Sequence, residues 1–74
     1  MKIRIDPESD ALYLRLTETP IKHSEEVAPG VIIDFDATDE PVGVEILELR
    51  RRYRPEDLAM IQTDLFDFVA AASR

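Results

Sequence analysis

The chain contains no cysteine, one histidine and two isolated glycines in 74 residues. Without cysteine there is no disulfide and no thiolate zinc site. A single histidine, His23, cannot build a transition-metal site unaided. Gly30 and Gly43 stand too far apart for a glycine-rich phosphate loop. No apolar run approaches the length of a membrane span. The start of the chain, MKIRIDPESDALYLRL, carries charges every few positions and no signal-like apolar segment, so a cytoplasmic location is expected. A chain of this length has room for one domain with a modest core, which makes oligomerisation a reasonable expectation.

The charge that is present is mostly negative. Sixteen acids against nine lysines and arginines give a net charge of −7. Such a surface repels phosphate backbones and anionic membranes and suits a basic protein partner. Four of the nine basic residues, Arg50, Arg51, Arg52 and Arg54, nevertheless fall within five positions around Tyr53.

Up to about residue 49 the apolar residues alternate with polar ones, the period of half-buried strands. KIRID sets Ile3 and Ile5 against Lys2 and Arg4. ALYLRL sets Leu12, Leu14 and Leu16 against Tyr13 and Arg15. IKHSEEV is a weaker strand. VIIDFD places Val31, Ile33 and Phe35 opposite Ile32, Asp34 and Asp36, and VGVEIL places Val42, Val44 and Ile46 opposite Gly43 and Glu45. Pro29-Gly30 suits the centre of a type II turn, where the second residue needs positive φ. The short connections predict an antiparallel meander of about five strands, since sequential strands usually pair.

The period changes after residue 54. Pro55 suits a first helical position, with Glu56 and Asp57 complementing the positive helix end. Leu58, Ile61, Leu65, Phe68, Val69 and Ala72 recur at helical spacing, with Phe66 widening the stripe and Met60 outside it. The predicted architecture is therefore α+β: a β-meander over 1–49, a basic connection at 50–54, and an amphipathic helix over 55–73 packed on one sheet face.

Three groups of residues are candidates for a function. Asp34 and Asp36, with Asp39 and Glu40 behind them, suggest a metal or a small enzyme site. DFDATDEPVGVE lacks the mid-loop glycine of a calcium-binding EF-hand, however, and alternation explains the acids as the wet face of a sheet, supported by Lys2, Arg4 and Arg15 on neighbouring strands. No serine has a nucleophile-elbow context around His23, so no catalytic residue, cofactor or metal is expected. Arg50, Arg51, Arg52, Tyr53 and Arg54 could grip nucleic-acid phosphates with the ring stacked on a base; the plainer alternative turns those arginines onto the chain's own carboxylates. Met60 and Phe66 are candidate partner contacts at the margin of the helical stripe.

Three blocks, Met1 to Leu16, Glu26 to Asp34 and Val42 to Leu47, resemble the small prokaryotic family catalogued as domain of unknown function number 2283. Its start has the form Met-Lys-Ile-x-Tyr-Asp-Pro-x-x-Asp-Ala-Leu-Tyr-Ile-x-Leu; here Ile5 replaces the tyrosine that follows x. The resemblance covers about residues 1–50 and does not reach the helix. It implies a compact β-rich domain and no catalytic residues. The occurrence of some members beside small toxin-like genes implies an antitoxin-like or partner-binding role. The expected function is thus a non-enzymatic protein-interaction module, acting as a homodimer or on a small basic toxin-like protein.

Overall fold

The structure, a computed structural model, describes residues 1–59. Five strands, β1 (Lys2–Asp6), β2 (Ala11–Arg15), β3 (His23–Ala28), β4 (Val31–Phe35) and β5 (Pro41–Ile46), precede two short helices, α1 (Leu49–Arg52) and α2 (Pro55–Ala59). All the strands join one antiparallel sheet in the order β1-β2-β5-β4-β3.

That order corrects the expected meander. β2 does not pair with β3; it pairs with β5, and β3 lies at the far edge. Strands β2 to β5 make a Greek key, in which a meander of three strands is flanked by the one joined to it by the longer connection. The connection, residues 16–22, is tied at both ends. Leu16 N–H donates to the Val42 carbonyl at 2.8 Å and Lys22 N–H to the Phe35 carbonyl at 2.7 Å. The chain thus passes the loop end of the β4–β5 hairpin, beside residues 36–40, with the backbone groups at both ends of the crossing satisfied. The Arg15 guanidinium, bonded to the Thr19 carbonyl at 2.5 Å, and the Thr17 hydroxyl, bonded to Thr19 N–H at 3.1 Å, brace the crossing from within.

The alternation read from the sequence sorts the residues onto two faces. Cross-strand register aligns Ile3, Leu14, Val44 and Ile33 in one row, and Ile5, Leu12, Ile46 and Val31 in the next. The other face carries Arg4, Tyr13, Glu45, Ile32 and Glu26 in one row and Lys2, Arg15, Gly43, Asp34 and Ser24 in the other. The apolar face is only half closed among the described residues. Ile3 and Ile5 remain 45% and 41% exposed, whereas Val42 and Leu49 are the large side chains fully buried.

The turns follow local chemistry. Pro29 and Gly30 join β3 to β4, with Gly30 at φ 73°, as that turn requires. Val27 is the extra residue of a bulge in β3, where the pairing with β4 shifts between Glu26 and Ala28. Asp36 organises the β4–β5 loop: its Oδ1 accepts from Thr38 N–H and hydroxyl, both at 2.8 Å, and from Glu40 N–H at 3.0 Å.

The basic segment expected as a plain connection forms α1. Glu48 enters it in the left-handed conformation, φ 56°. Asp10 ties the helix to the first hairpin, its carbonyl accepting Leu49 N–H at 3.0 Å and its carboxylate accepting Arg50 N–H at 3.2 Å. α2 begins at Pro55 with Glu56 and Asp57 in its first turn, as expected. The remainder of the predicted helix, including Met60, Ile61, Leu65, Phe66, Phe68, Val69 and Ala72, lies outside the described residues.

Candidate functional site

The polar face is not the uniformly wet surface that its acids suggested. Asp34, at the centre of the sheet on β4, is 9% exposed. Tyr13 reaches it from β2, donating its hydroxyl to Asp34 Oδ2 at 2.8 Å, and Ser24 on β3 donates to Oδ1 at 2.5 Å. The tyrosine passes over β5 at Gly43. A Cβ there would sit 2.7 Å from both Asp34 Oδ2 and the Tyr13 hydroxyl oxygen. Four strands therefore meet in one polar cluster, and the glycine provides the space it occupies. Burial, and then the hydrogen bond to the Asp34 carboxylate, raise the Tyr13 pKa above 10.0, with Arg15 pulling the other way.

The predicted cross-strand charge pairs do not form. Lys2 faces Arg15, a like charge, and Arg4 faces Tyr13. Asp34 faces Gly43 and Ser24, and Glu45 faces Tyr13 and Ile32. Asp36 turns into its own loop. The two aspartates singled out together thus have separate duties, one buried under hydroxyls and one closing a turn. Among the described residues no group of three histidine, cysteine, aspartate or glutamate side chains is arranged to hold a metal.

Lys2, Ile3, Arg4, Tyr13 and Arg15 line an open depression of about 520 Å³ on the β1–β2 side of the cluster. A second hollow of about 310 Å³ adjoins it at Lys2 and Arg15 and is closed by Met1, Thr17 and Glu18. Sequence reasoning assigned these cations to pairing across the sheet. Recognising them as a group requires the register, which sets Lys2 directly against Arg15.

The arginines of 50–54 are held apart. Arg50 lies 3.6 Å from Asp10 and donates to the Pro7 carbonyl at 3.0 Å. Arg51 pairs with Glu48. Arg52 donates to the Leu47 carbonyl at 2.8 Å and to the Pro29 carbonyl. Arg54 folds onto Asp57 at 3.3 Å and lies 3.8 Å from Glu56. Tyr53, 41% exposed, closes α1 through its backbone N–H. Each guanidinium is thus drawn to a different part of the chain. These four ion pairs lie at the surface, where solvent screening leaves them little to add to stability. His23 stacks on Phe35 with centroids 5.0 Å apart, and its Nε2 is 3.8 Å from Asp39.

No helix among the described residues is long and apolar enough to cross a membrane. Comparison with known families matches residues 2–50 to the model described as "Protein of unknown function (DUF2283)". No curated protein and no solved structure matches the chain.

Proposed function

The chain belongs to the DUF2283 family of proteins of unknown function, and from that premise we propose that it is a non-enzymatic protein-interaction module whose contact surface is the apolar face of the sheet. The observation that carries this reading is the exposure of Ile3 and Ile5, at 45% and 41%, on a face formed otherwise by Leu12, Leu14, Val31, Ile33, Val44 and Ile46. An apolar surface of this kind on a small domain marks an interface. In its finer form, the stripe from Leu58 to Ala72 crosses part of that face as a helix, leaving Met60 and Phe66 at its margin for the partner. The partner is a second copy, or a small basic toxin-like protein attracted by the −7 charge, which is the antitoxin-like form of the reading. The module works in the cytoplasm, without cofactor or metal.

Sedimentation equilibrium of the full chain tests this directly. A dimer is expected at micromolar concentration. Ile5→Lys, which places a charge on the face at an edge strand that is already exposed, is expected to give a monomer with an unchanged circular dichroism spectrum. A wild type that stays monomeric at high micromolar concentration, and that binds no basic protein encoded beside it, overturns the proposal. Unfolding of the domain by Phe66→Ala overturns the placement of Phe66 at the contact.

The alternatives receive less support from the geometry. A nucleic-acid grip by Arg50, Arg51, Arg52, Tyr53 and Arg54 needs guanidiniums that converge, and these diverge. A metal or enzyme site at Asp34 and Asp36 needs carboxylates that share a ligand, and these serve different hydrogen-bond networks.

A further inference from the structure

We infer that the depression bounded by Lys2, Arg4 and Arg15 around Tyr13 is a binding site for a compact phosphorylated ligand, with the two or three phosphoryl groups of a pyrophosphate or nucleoside polyphosphate held by the three cations. This site is built by the polar-face side chains of β1 and β2, and of its lining residues only Ile3 also belongs to the apolar interface.

The first ground is a conflict between these residues and the rest of the chain. Like charges directly opposite each other destabilise an antiparallel pair, yet the register opposes Lys2 to Arg15, with Arg4 on the adjacent diagonal. The chain has sixteen acids available to relieve this. It uses them on Arg50, Arg51 and Arg54, each within 4.0 Å of a carboxylate. Among the described residues no such ion pair forms at Lys2, Arg4 or Arg15. A local arrangement that contradicts the fold's own electrostatics is expected where a ligand supplies the missing charge.

The second ground is shape. The cations border an open hollow of about 520 Å³ rather than a convex edge, and the 310 Å³ hollow, which Glu18 also lines, shares Lys2 and Arg15 with it. Directly opposed residues are about 5 Å apart at Cβ and diagonal ones about 7–8 Å. Three flexible heads on that grid reach adjacent phosphoryl groups. Arginine adds a planar fork that fits phosphate oxygens in pairs. The floor is fixed, because Tyr13 is pinned by its bond to Asp34; Arg15 spends one N–H on the Thr19 carbonyl and keeps the rest of its fork to offer.

The third ground is ligand size. Three cations neutralise about three phosphates, so a single strand bound here has a log–log salt slope of only about −2. Beyond the hollow, a strand meets an acidic protein that repels it. A short phosphoanhydride gains the local attraction and avoids most of that repulsion.

The test is a titration of the ¹⁵N-labelled full chain with pyrophosphate, with ADP and with a single-stranded oligonucleotide, at fixed salt and pH. Saturable shifts confined to residues 2–4 and 13–15, with a dissociation constant below about 1 mM, are expected for pyrophosphate and ADP. Arg4→Gln and Arg15→Gln are each expected to weaken binding about tenfold, the effect of one charged hydrogen bond. Arg51→Gln, at an exposed pair elsewhere, is expected to leave binding unchanged and serves as the charge control. Shifts that do not saturate, an equal loss in Arg51→Gln, equal affinity for sulfate, or tighter binding of the oligonucleotide than of pyrophosphate each overturn the inference.

Discussion

Substituting Gly43 by alanine tests the polar cluster at its tightest point. The added methyl would lie 2.7 Å from Asp34 Oδ2 and from the Tyr13 hydroxyl oxygen, and 3.2 Å from Tyr13 Cζ. Ordinary contacts of this kind are about 3.5–4.0 Å, so the methyl acts as a wedge at the 2.8 Å hydrogen bond. Two costs follow. Overpacking in a fitted site costs about 1–3 kcal/mol. Separating the tyrosine from a largely buried carboxylate removes a charged hydrogen bond, about 1.5–3 kcal/mol. Against these, alanine loses less backbone entropy than glycine in a strand, a gain of about 0.5–1 kcal/mol. The costs win, and a net loss of about 1.5–5.5 kcal/mol is expected. For a domain of this size that lowers the melting temperature by roughly 6 °C or more.

Urea melts of wild type, Gly43→Ala, Tyr13→Phe and the double variant form the assay. Tyr13→Phe removes one of the two oxygens that the new methyl meets and leaves Ser24 on Asp34. In that background Gly43→Ala is expected to cost at least about 1 kcal/mol less than in wild type, the scale of coupling between residues in contact. A neutral or stabilising Gly43→Ala, or costs that simply add in the double variant, refutes the reasoning.

Three further outcomes are expected. The raised Tyr13 pKa stabilises the fold fully below pH 10.0, and that contribution is lost as pH rises through the folded value; the alkaline decline in stability is therefore expected to shrink in Tyr13→Phe, measured by urea midpoints from pH 9 upward. Asp36 is held below 3.8 by the Thr38 hydroxyl first and then by the Glu40 and Thr38 amides, so its stabilisation is present above 3.8 and lost as pH falls through the folded value; Asp36→Asn is expected to flatten the acid side of the stability profile. Melting curves with and without calcium, magnesium or manganese are expected to coincide, because a metal bound to the native state must raise stability; a shift of several degrees at micromolar metal contradicts this.

The strands were legible because side chains alternate with a period of two, and each apolar run was short and bounded by turn residues. The Pro29-Gly30 turn and the Pro55 helix start were legible for similarly local reasons. Strand order was not. A seven-residue connection does not reveal which edge it reaches, and the two backbone bonds that fix the crossing, from Leu16 and Lys22, depend on strands not yet made. The candidate site was hidden by the same gap. Alternation places Asp34 with Asp36 and Glu45 on one expected face, and only the β2-β5-β4 order shows that Tyr13 reaches Asp34 across Gly43. The readable clue was Gly43 itself, a residue without a side chain in the middle of an otherwise regular strand, where a neighbouring group approaches closely.

The Greek key order also explains why one small sheet has two unlike faces. Pairing β2 with β5 brings Tyr13 within reach of Asp34; a sequential meander would separate β2 from β4 by β3 and set the hydrogen-bonding donors of this cluster elsewhere. The crossing also leaves β1 and β3 as the two edges, so that Lys2 and Arg4 stand at one side of the polar face and Glu26 at the other. Asp34, satisfied by two hydroxyls at the centre, offers no ion pair to the cations on β1 and β2. The same connectivity that buries one carboxylate therefore leaves Lys2, Arg4 and Arg15 without an ion-pair partner among the described residues. On the opposite face it lines up eight aliphatic side chains on β1, β2, β5 and β4, with the largest exposure at edge strand β1. Both proposed surfaces include β1, through Lys2 and Arg4 on one side and Ile3 and Ile5 on the other.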